Sequence, residues 1–242
     1  MLKQVSILLI ISLLFSCKVD ENESTANASY SPIKISGAMR NVMWKGELRG
    51  IINLDTIANK KGLYGLGPQA FLAGELLIND GKSYVSKVLT DSTMSVEKTY
   101  DLEAPFFVYG NVNEWKGIDL PDNVKNIKNL ETFIDQQTQN ATRPFVFKLI
   151  GQITEADIHI QNLPPGTRVS SPTEAHQGQT NYQLKNEEVE IIGFFSTEHQ
   201  GIFTHHDSFL HMHLITHDEK QMGHLDGVVF SQGKVKLFLP IK

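Results

Sequence analysis

The sequence predicts an α+β fold that is mainly β, with mixed or antiparallel sheets and few helices. Three observations lead there. Runs rich in Val, Ile, Phe and Leu recur along the chain with turn residues between them. An Asp-Gly pair at 80–81 joins two such runs, a strong hairpin signal. Only one stretch carries a helical period.

The first residues read as an export signal. Lys3 supplies a positive charge, and residues 5–15 form an almost unbroken apolar run, too short to span a bilayer. Leu14-Phe15-Ser16-Cys17 resembles the bacterial lipobox, with cleavage before Cys17 and acylation of that thiol; a plain signal peptide is the other reading. Residues 1–17 are therefore expected to be a lipoprotein-type signal, and residues 18–31 ("KVDENESTANASYS") a flexible tether. The expected location is outside the cytoplasm, anchored to a membrane by the lipid alone. Cys17 is the only cysteine, so no internal disulfide or cysteine-based metal site can form.

Residues 32–242 remain, enough for one large domain. Their expected strands include "AFLAGELLIND" (70–80) and "SYVSKVL" (83–89), flanking the Asp-Gly turn. "FFVYGNV" (106–112), "FVFKLIGQI" (145–153), "VEIIGFFS" (189–196) and "GKVKLFLPI" (233–241) follow by the same β-branched and aromatic content. The helical segment is residues 120–139. Asp122 is its expected N-cap, and Val124, Ile127, Leu130, Phe133 and Ile134 share one face. Residues 161–180, rich in Gly, Pro, Ser and Thr, read as a long loop. The net charge of −5 without a basic block argues against nucleic acid as a partner.

Residues 210–224 ("LHMHLITHDEKQMGH") hold four of the nine histidines. "FLHMHLIT" reads as a strand, which places His211 and His213 on one face. Antiparallel pairing centred between Asp218 and Glu219 puts His224 opposite His213; a slip of one residue would turn His224 to the other face. Three neutral imidazoles on one face can hold a divalent metal and leave a coordination position open. Zinc suits such a site. His217 falls in the turn. His205 and His206, upstream, are competing ligands that spacing does not exclude. His159, His176 and His199 are expected at the surface.

With these surroundings the chain resembles the bacterial α-acetolactate decarboxylases. Gly193-Phe194-Phe195, His211-Met212-His213-Leu214, Asp218 and Gly223-His224 stand where that family has G-F-[WF], H-x-H-F, a turn aspartate and G-G-H. Gly65, Gly67, Leu72, Gly74, Glu75, Asp80, Gly81 and Tyr84 match a second motif, and Gly151 a third, in which Lys148 stands at a family arginine. The resemblance runs from about Met39 to Pro240. It implies a metal-dependent lyase that decarboxylates 2-acetolactate, or a related 2-hydroxy-3-keto acid, to acetoin and CO₂. His211, His213 and His224 would be the metal ligands, and Glu75 a ligand or a proton donor. Lys148 would be a catalytic and substrate-binding residue facing the substrate carboxylate, less rigidly than an arginine fork.

The chain departs from the family at Lys148, at Ala73 before Gly74-Glu75, and at Pro68-Gln69. The family's late glutamate on the metal has no counterpart in the motifs matched here, which leaves an expected metal more open, with the three histidines and Glu75 around it; the alternative is a substitute acid, Asp207 or Glu198, Asp207 being nearer His211. A homodimer is an open possibility. The other reading of the same fold is a non-catalytic, metal-containing surface lipoprotein that binds a small hydroxy acid or sugar.

Overall fold

The computed structural model describes residues 32–241; the expected signal, the tether and Cys17 lie outside them. The first half of the chain supplies strands β1 (Lys34–Ser36), β2 (Ile52–Asn53), β3 (Leu63–Pro68), β4 (Glu75–Asn79), β5 (Lys82–Thr90), β6 (Thr93–Lys98), β7 (Glu103–Ala104) and β8 (Phe107–Asn111). The second half supplies β9 (Trp115–Asp119), β10 (Phe145–Ile160), β11 (Thr180–Lys185), β12 (Glu188–Phe195), β13 (Leu210–Thr216) and β14 (Met222–Pro240). Helices α1 (Met39–Lys45), α2 (Ile127–Gln137) and α3 (Pro172–Ala175) complete the chain.

The two halves form separate sheets. The order is β1-β8-β3-β4-β5-β6 in the first and β11-β10-β12-β13-β14-β9 in the second, with β2 and β7 paired apart. All strand pairs are antiparallel. β14 also pairs with β10, which closes β10, β12, β13 and β14 into a ring. Phe147, Leu149, Ile191, Met212, Leu214 and Leu237 belong to the apolar core on one side of this second sheet. On the other side, Ile192, Phe194, Ile215 and Met222 pack against Tyr64, Leu66, Leu77 and Val108 of the first sheet. This layer between the sheets matters for the site.

The Asp80-Gly81 hairpin forms as expected. Both residues have positive φ (47° and 76°), the condition for a two-residue turn whose twist matches its strands. The strand before it is shorter than expected. Phe71 and Leu72 are left-handed (φ 63° and 52°), so residues 70–72 make a tight turn and β4 starts only at Glu75. Gly74 permits this: a Cβ there would come within 2.5 Å of the Ser86 carbonyl oxygen.

The expected helix also begins later. Val124 N–H bonds the Pro121 carbonyl in a turn, and Asn126, rather than Asp122, is the N-cap, its side chain accepting from Asn129 N–H at 3.0 Å. Asn and Asp cap about equally well, so residue type alone could not choose between them. Leu130 and Ile134 are the buried face, as the period predicts. Within the expected loop 161–180, Ser171 caps the one-turn helix α3, whose C-cap is His176.

Candidate metal centre

The site grows out of the layer between the sheets. On β13, Ile215 points into that layer, so His213 and His211, two and four residues earlier, do too. On β14, Met222 points there, and so does His224. The turn register is the expected one: His213 pairs with His224, Leu214 with Gly223 and Ile215 with Met222. On β4, Leu77 packs in the same layer, and Glu75, two residues earlier, shares its face. Apolar side chains fill one part of the layer, and the histidines and Glu75 occupy the other.

His211, His213 and His224 are buried, and each offers a ligand atom within 4.8 Å of the others. The Glu75 carboxyl is 3% exposed, and its Oε2 lies 3.6 Å from Nε2 of His213. That is longer than a hydrogen bond, but the carboxyl faces the cluster. Its Oε1 accepts from the backbone N–H of Gln161 at 3.2 Å.

Sequence reasoning missed His159 and Asp226 and held His205 only as a competing ligand. His159, expected at the surface, is buried and pairs across the strands with His224. Their ring centroids are 4.6 Å apart, and Nδ1 of His159 lies 2.7 Å from Oδ2 of Asp226. Gly223 allows the close approach of β10: a Cβ there would sit 2.6 Å from the His159 carbonyl oxygen. His205 Nε2 lies 3.1 Å from His224 Nε2. His176 is exposed, as expected, and also lines the inner cavity with Glu75 and His159.

Asp226 is the carboxylate beside the cluster. It was legible, since it follows His224 by two residues on one strand face. The expected substitutes stand elsewhere. Glu198 is exposed, and Asp207 is exposed with its carboxyl 4.0 Å from His206. Asp207 does line the outer cavity described below. His206 and His217 are exposed. His199 is half-buried: its Nδ1 lies 2.7 Å from the Ser196 hydroxyl and its ring stacks on Phe203.

Lys148 does not face this site. It lines a separate cavity with Tyr84, Glu190 and Glu219. Its ammonium lies 4.9 Å from the Trp115 ring centroid and 3.5 Å from the Tyr64 hydroxyl. The reason is register. Lys148 pairs with Ile192, and Ile192 pairs with His213, so two strand spacings, about 10 Å, separate lysine from histidine.

Electrostatics keeps the imidazoles neutral. Burial depresses His213 to about 3, with the charge of His159 as a second cause. Burial also holds His211 and His224 well below the usual histidine range, followed by repulsion from His213 and His159 respectively. Burial raises Glu75 well above the ordinary carboxylate range, against the lowering effect of the Gln161 N–H. Neutral imidazole is the form that binds a metal.

The donor set fits a divalent ion. Nδ1 of His211 and both ring nitrogens of His213 are buried without a hydrogen-bond partner. Backbone near Phe203 and Leu76 favours the charged forms slightly, but no bond of good geometry forms. Each unpaired buried polar atom costs roughly 1–3 kcal/mol. A ligand role accounts for that expense, because coordination uses a buried nitrogen lone pair. Two cavities, about 30 and 220 Å³, are both lined by His205, His211 and His224; the larger opens past Asp207, Ser208 and Asp226.

This is a two-sheet, mainly-β protein with a buried three-histidine cluster and an adjoining carboxyl, able to hold one divalent metal. The chain belongs to the alpha-acetolactate decarboxylase family, whose model matches residues 35–239. Alpha-acetolactate decarboxylase from Brevibacillus brevis is 24% identical over 199 residues, which span 81% of this chain and 66% of that protein. The Lactococcus lactis subsp. lactis enzyme is 25% identical over 74% of this chain and 72% of its own length. The chain thus spans about two thirds to three quarters of these relatives. In fold, it matches alpha-acetolactate decarboxylase from Bacillus subtilis strain 168 with a TM-score of 0.68 at 20% identity, over 88% of this chain and 86% of that one. A Staphylococcus aureus protein similar to alpha-acetolactate decarboxylase matches with 0.72 at 16% identity, over 87% and 86%.

Proposed function

We propose that this protein decarboxylates 2-acetolactate, or a related 2-hydroxy-3-keto acid, to acetoin and CO₂ with a divalent metal, zinc by preference, held by His211, His213 and His224. The observation that carries this reading is Glu75: a buried carboxyl directed at the three histidines although it is 136 residues before His211.

The reaction breaks the bond between the carboxylate and the carbon bearing the hydroxyl. Its electron pair moves toward the neighbouring ketone, and that carbon must then gain a proton. The metal, when bound, supplies Lewis acidity for the charge that develops on the ketone oxygen. Glu75 can hold the proton, since burial favours its neutral form, and its position beside His213 brings that proton to the cluster. Gln161 fixes the carboxyl through its N–H. His159, oriented by Asp226, is a hydrogen-bonding group available to the substrate carboxylate in place of Lys148. Leu72, Phe106, Met39 and Met43 limit water at the inner cavity.

One observation favours the second reading, a lipoprotein that binds a small hydroxy acid or sugar without turning it over. Neither cavity at the cluster is lined by lysine or arginine, so an anionic substrate lacks a fixed cation. Incubating zinc-loaded protein with racemic 2-acetolactate and assaying acetoin separates the two. Acetoin above the spontaneous rate, abolished in His213→Ala, is the expected result; metal-loaded protein giving only the spontaneous rate would leave the binder. The "LFSC" stretch at 14–17 supports export and lipid anchoring. Mass spectrometry of the mature N-terminus tests this: an acylated Cys17 is expected, and a retained Met1 would refute it.

A further inference from the structure

We propose that His205 is a fourth protein ligand of this metal, carried on a loop while the other three stand on strands. The inference rests on the reading of the cluster as a metal site and specifies its ligand set. Nε2 of His205 lies 3.1 Å from Nε2 of His224. Two nitrogens bound at 2.0–2.1 Å to one tetrahedral ion lie about 3.3 Å apart, so this one contact has the spacing of neighbouring ligands. His205 stands outside the three histidines whose ligand atoms all lie within 4.8 Å of one another, so it must close on His211 and His213 when the ion binds. The His205 ring meets His211 and His224 edge-on, with centroids 6.1 and 5.0 Å away and interplanar angles of 81° and 66°.

The loop is built to present this residue. Phe203 is fully buried against Phe194, and Thr204 is buried. Gly201 N–H bonds the Thr204 carbonyl at 2.8 Å, and the His199 carbonyl accepts from Ile202, Phe203 and Thr204. The Gln200 side chain bonds the His206 carbonyl at 3.0 Å. His205 is thus bracketed by fixed backbone. His206, the next residue, has a side chain 90% exposed and serves as a built-in control.

Two consequences follow. With four imidazoles around the ion, Glu75 is released from coordination and acts only as the proton carrier. A ligand on a loop, next to the larger cavity, can also withdraw more easily than the strand ligands when the two oxygens of a substrate approach.

The test uses the cobalt-substituted protein, read by its visible absorption and by competition with a chelator. His205→Ala should weaken cobalt and zinc affinity by about tenfold or more and change the intensity of the cobalt bands, with His206→Ala matching wild type. His205→Asp, which offers a different donor atom at the same place, should recover part of the affinity. Equal affinity and spectrum in wild type and His205→Ala would overturn the proposal while leaving the three-histidine site standing. Wild-type protein that binds neither ion would instead overturn the metal reading itself. If His205→Ala does not fold, His205→Asp decides: a cobalt spectrum identical to wild type shows that residue 205 is not a ligand.

Discussion

One row of residues crosses the second sheet, Lys148–Ile192–His213–His224–His159, each opposite the next on neighbouring strands. Its Lys148 end and its centre are built differently. At one end, Lys148 is satisfied: its ammonium lies over Trp115, near Phe238 and Tyr64, and touches the Tyr64 hydroxyl. Burial lowers its protonation, and the charges of Glu190 and Asp80 oppose this. At its centre, His213 is fully buried with both ring nitrogens unpaired. A buried polar group with partners belongs to the structure; one without them is kept at a cost and points to a ligand. The difference marks which part of the row is the site.

The sharpest way to break this contrast is at Glu75. Glu75→Gln removes the exchangeable proton and keeps the shape. Acetoin formation should fall by roughly 10²–10⁴-fold while zinc affinity changes little. A comparable loss in zinc affinity would make Glu75 a ligand instead and end its separate role.

A second effect concerns acid. The histidines of the cluster have folded-state values below their unfolded value of about 6.5. They therefore contribute stability above that pH, and lose it as pH falls toward the His213 value of about 3, because the unfolded chain takes up protons that the folded one refuses. Metal-free protein should lose on the order of a few kcal/mol of stability between pH 7 and pH 4, measured by denaturant midpoints. His213→Leu should flatten that dependence. An unchanged slope would mean that these rings do not stay neutral in the folded state.

Smaller effects come from the supports. Asp226→Asn leaves a hydrogen-bonding group opposite His159 but removes the charge, and should weaken zinc binding about tenfold. Smallest of all is Lys148→Ala. It should lower stability by about 1 kcal/mol through the lost contact with Trp115, and leave zinc affinity and acetoin formation unchanged. A large loss of activity in that variant would erase the distinction between Lys148 and His213.

Much of the site was legible in the sequence because it is local. His211 and His213 follow from the two-residue period of a strand, and His224 from a turn whose centre sets the register. The Asp80-Gly81 hairpin is likewise a statement about two backbone angles. Asp226 obeys the same period as the histidines. Glu75 is intermediate. Its strand face is shared with Leu77, but only the family motif said that this face meets the histidines rather than solvent.

The tertiary structure alone decided His159, His205 and Lys148. β10 pairs with β12 along its first half and with β14 on its other edge, and the β10–β14 register shifts at 151/153, 153/155 and 157/158. The first shift adds three residues to β14 and each of the others adds one residue to one strand, resetting which side chains face the layer, so counting by twos from Lys148 cannot predict where His159 points. His205 reaches the cluster through a loop anchored by Phe203, far from any strand period. Local spacing fixes what lies within one hairpin. Contacts between strands distant in the chain depend on the packing of whole sheets, a sum over many side chains that no short motif encodes.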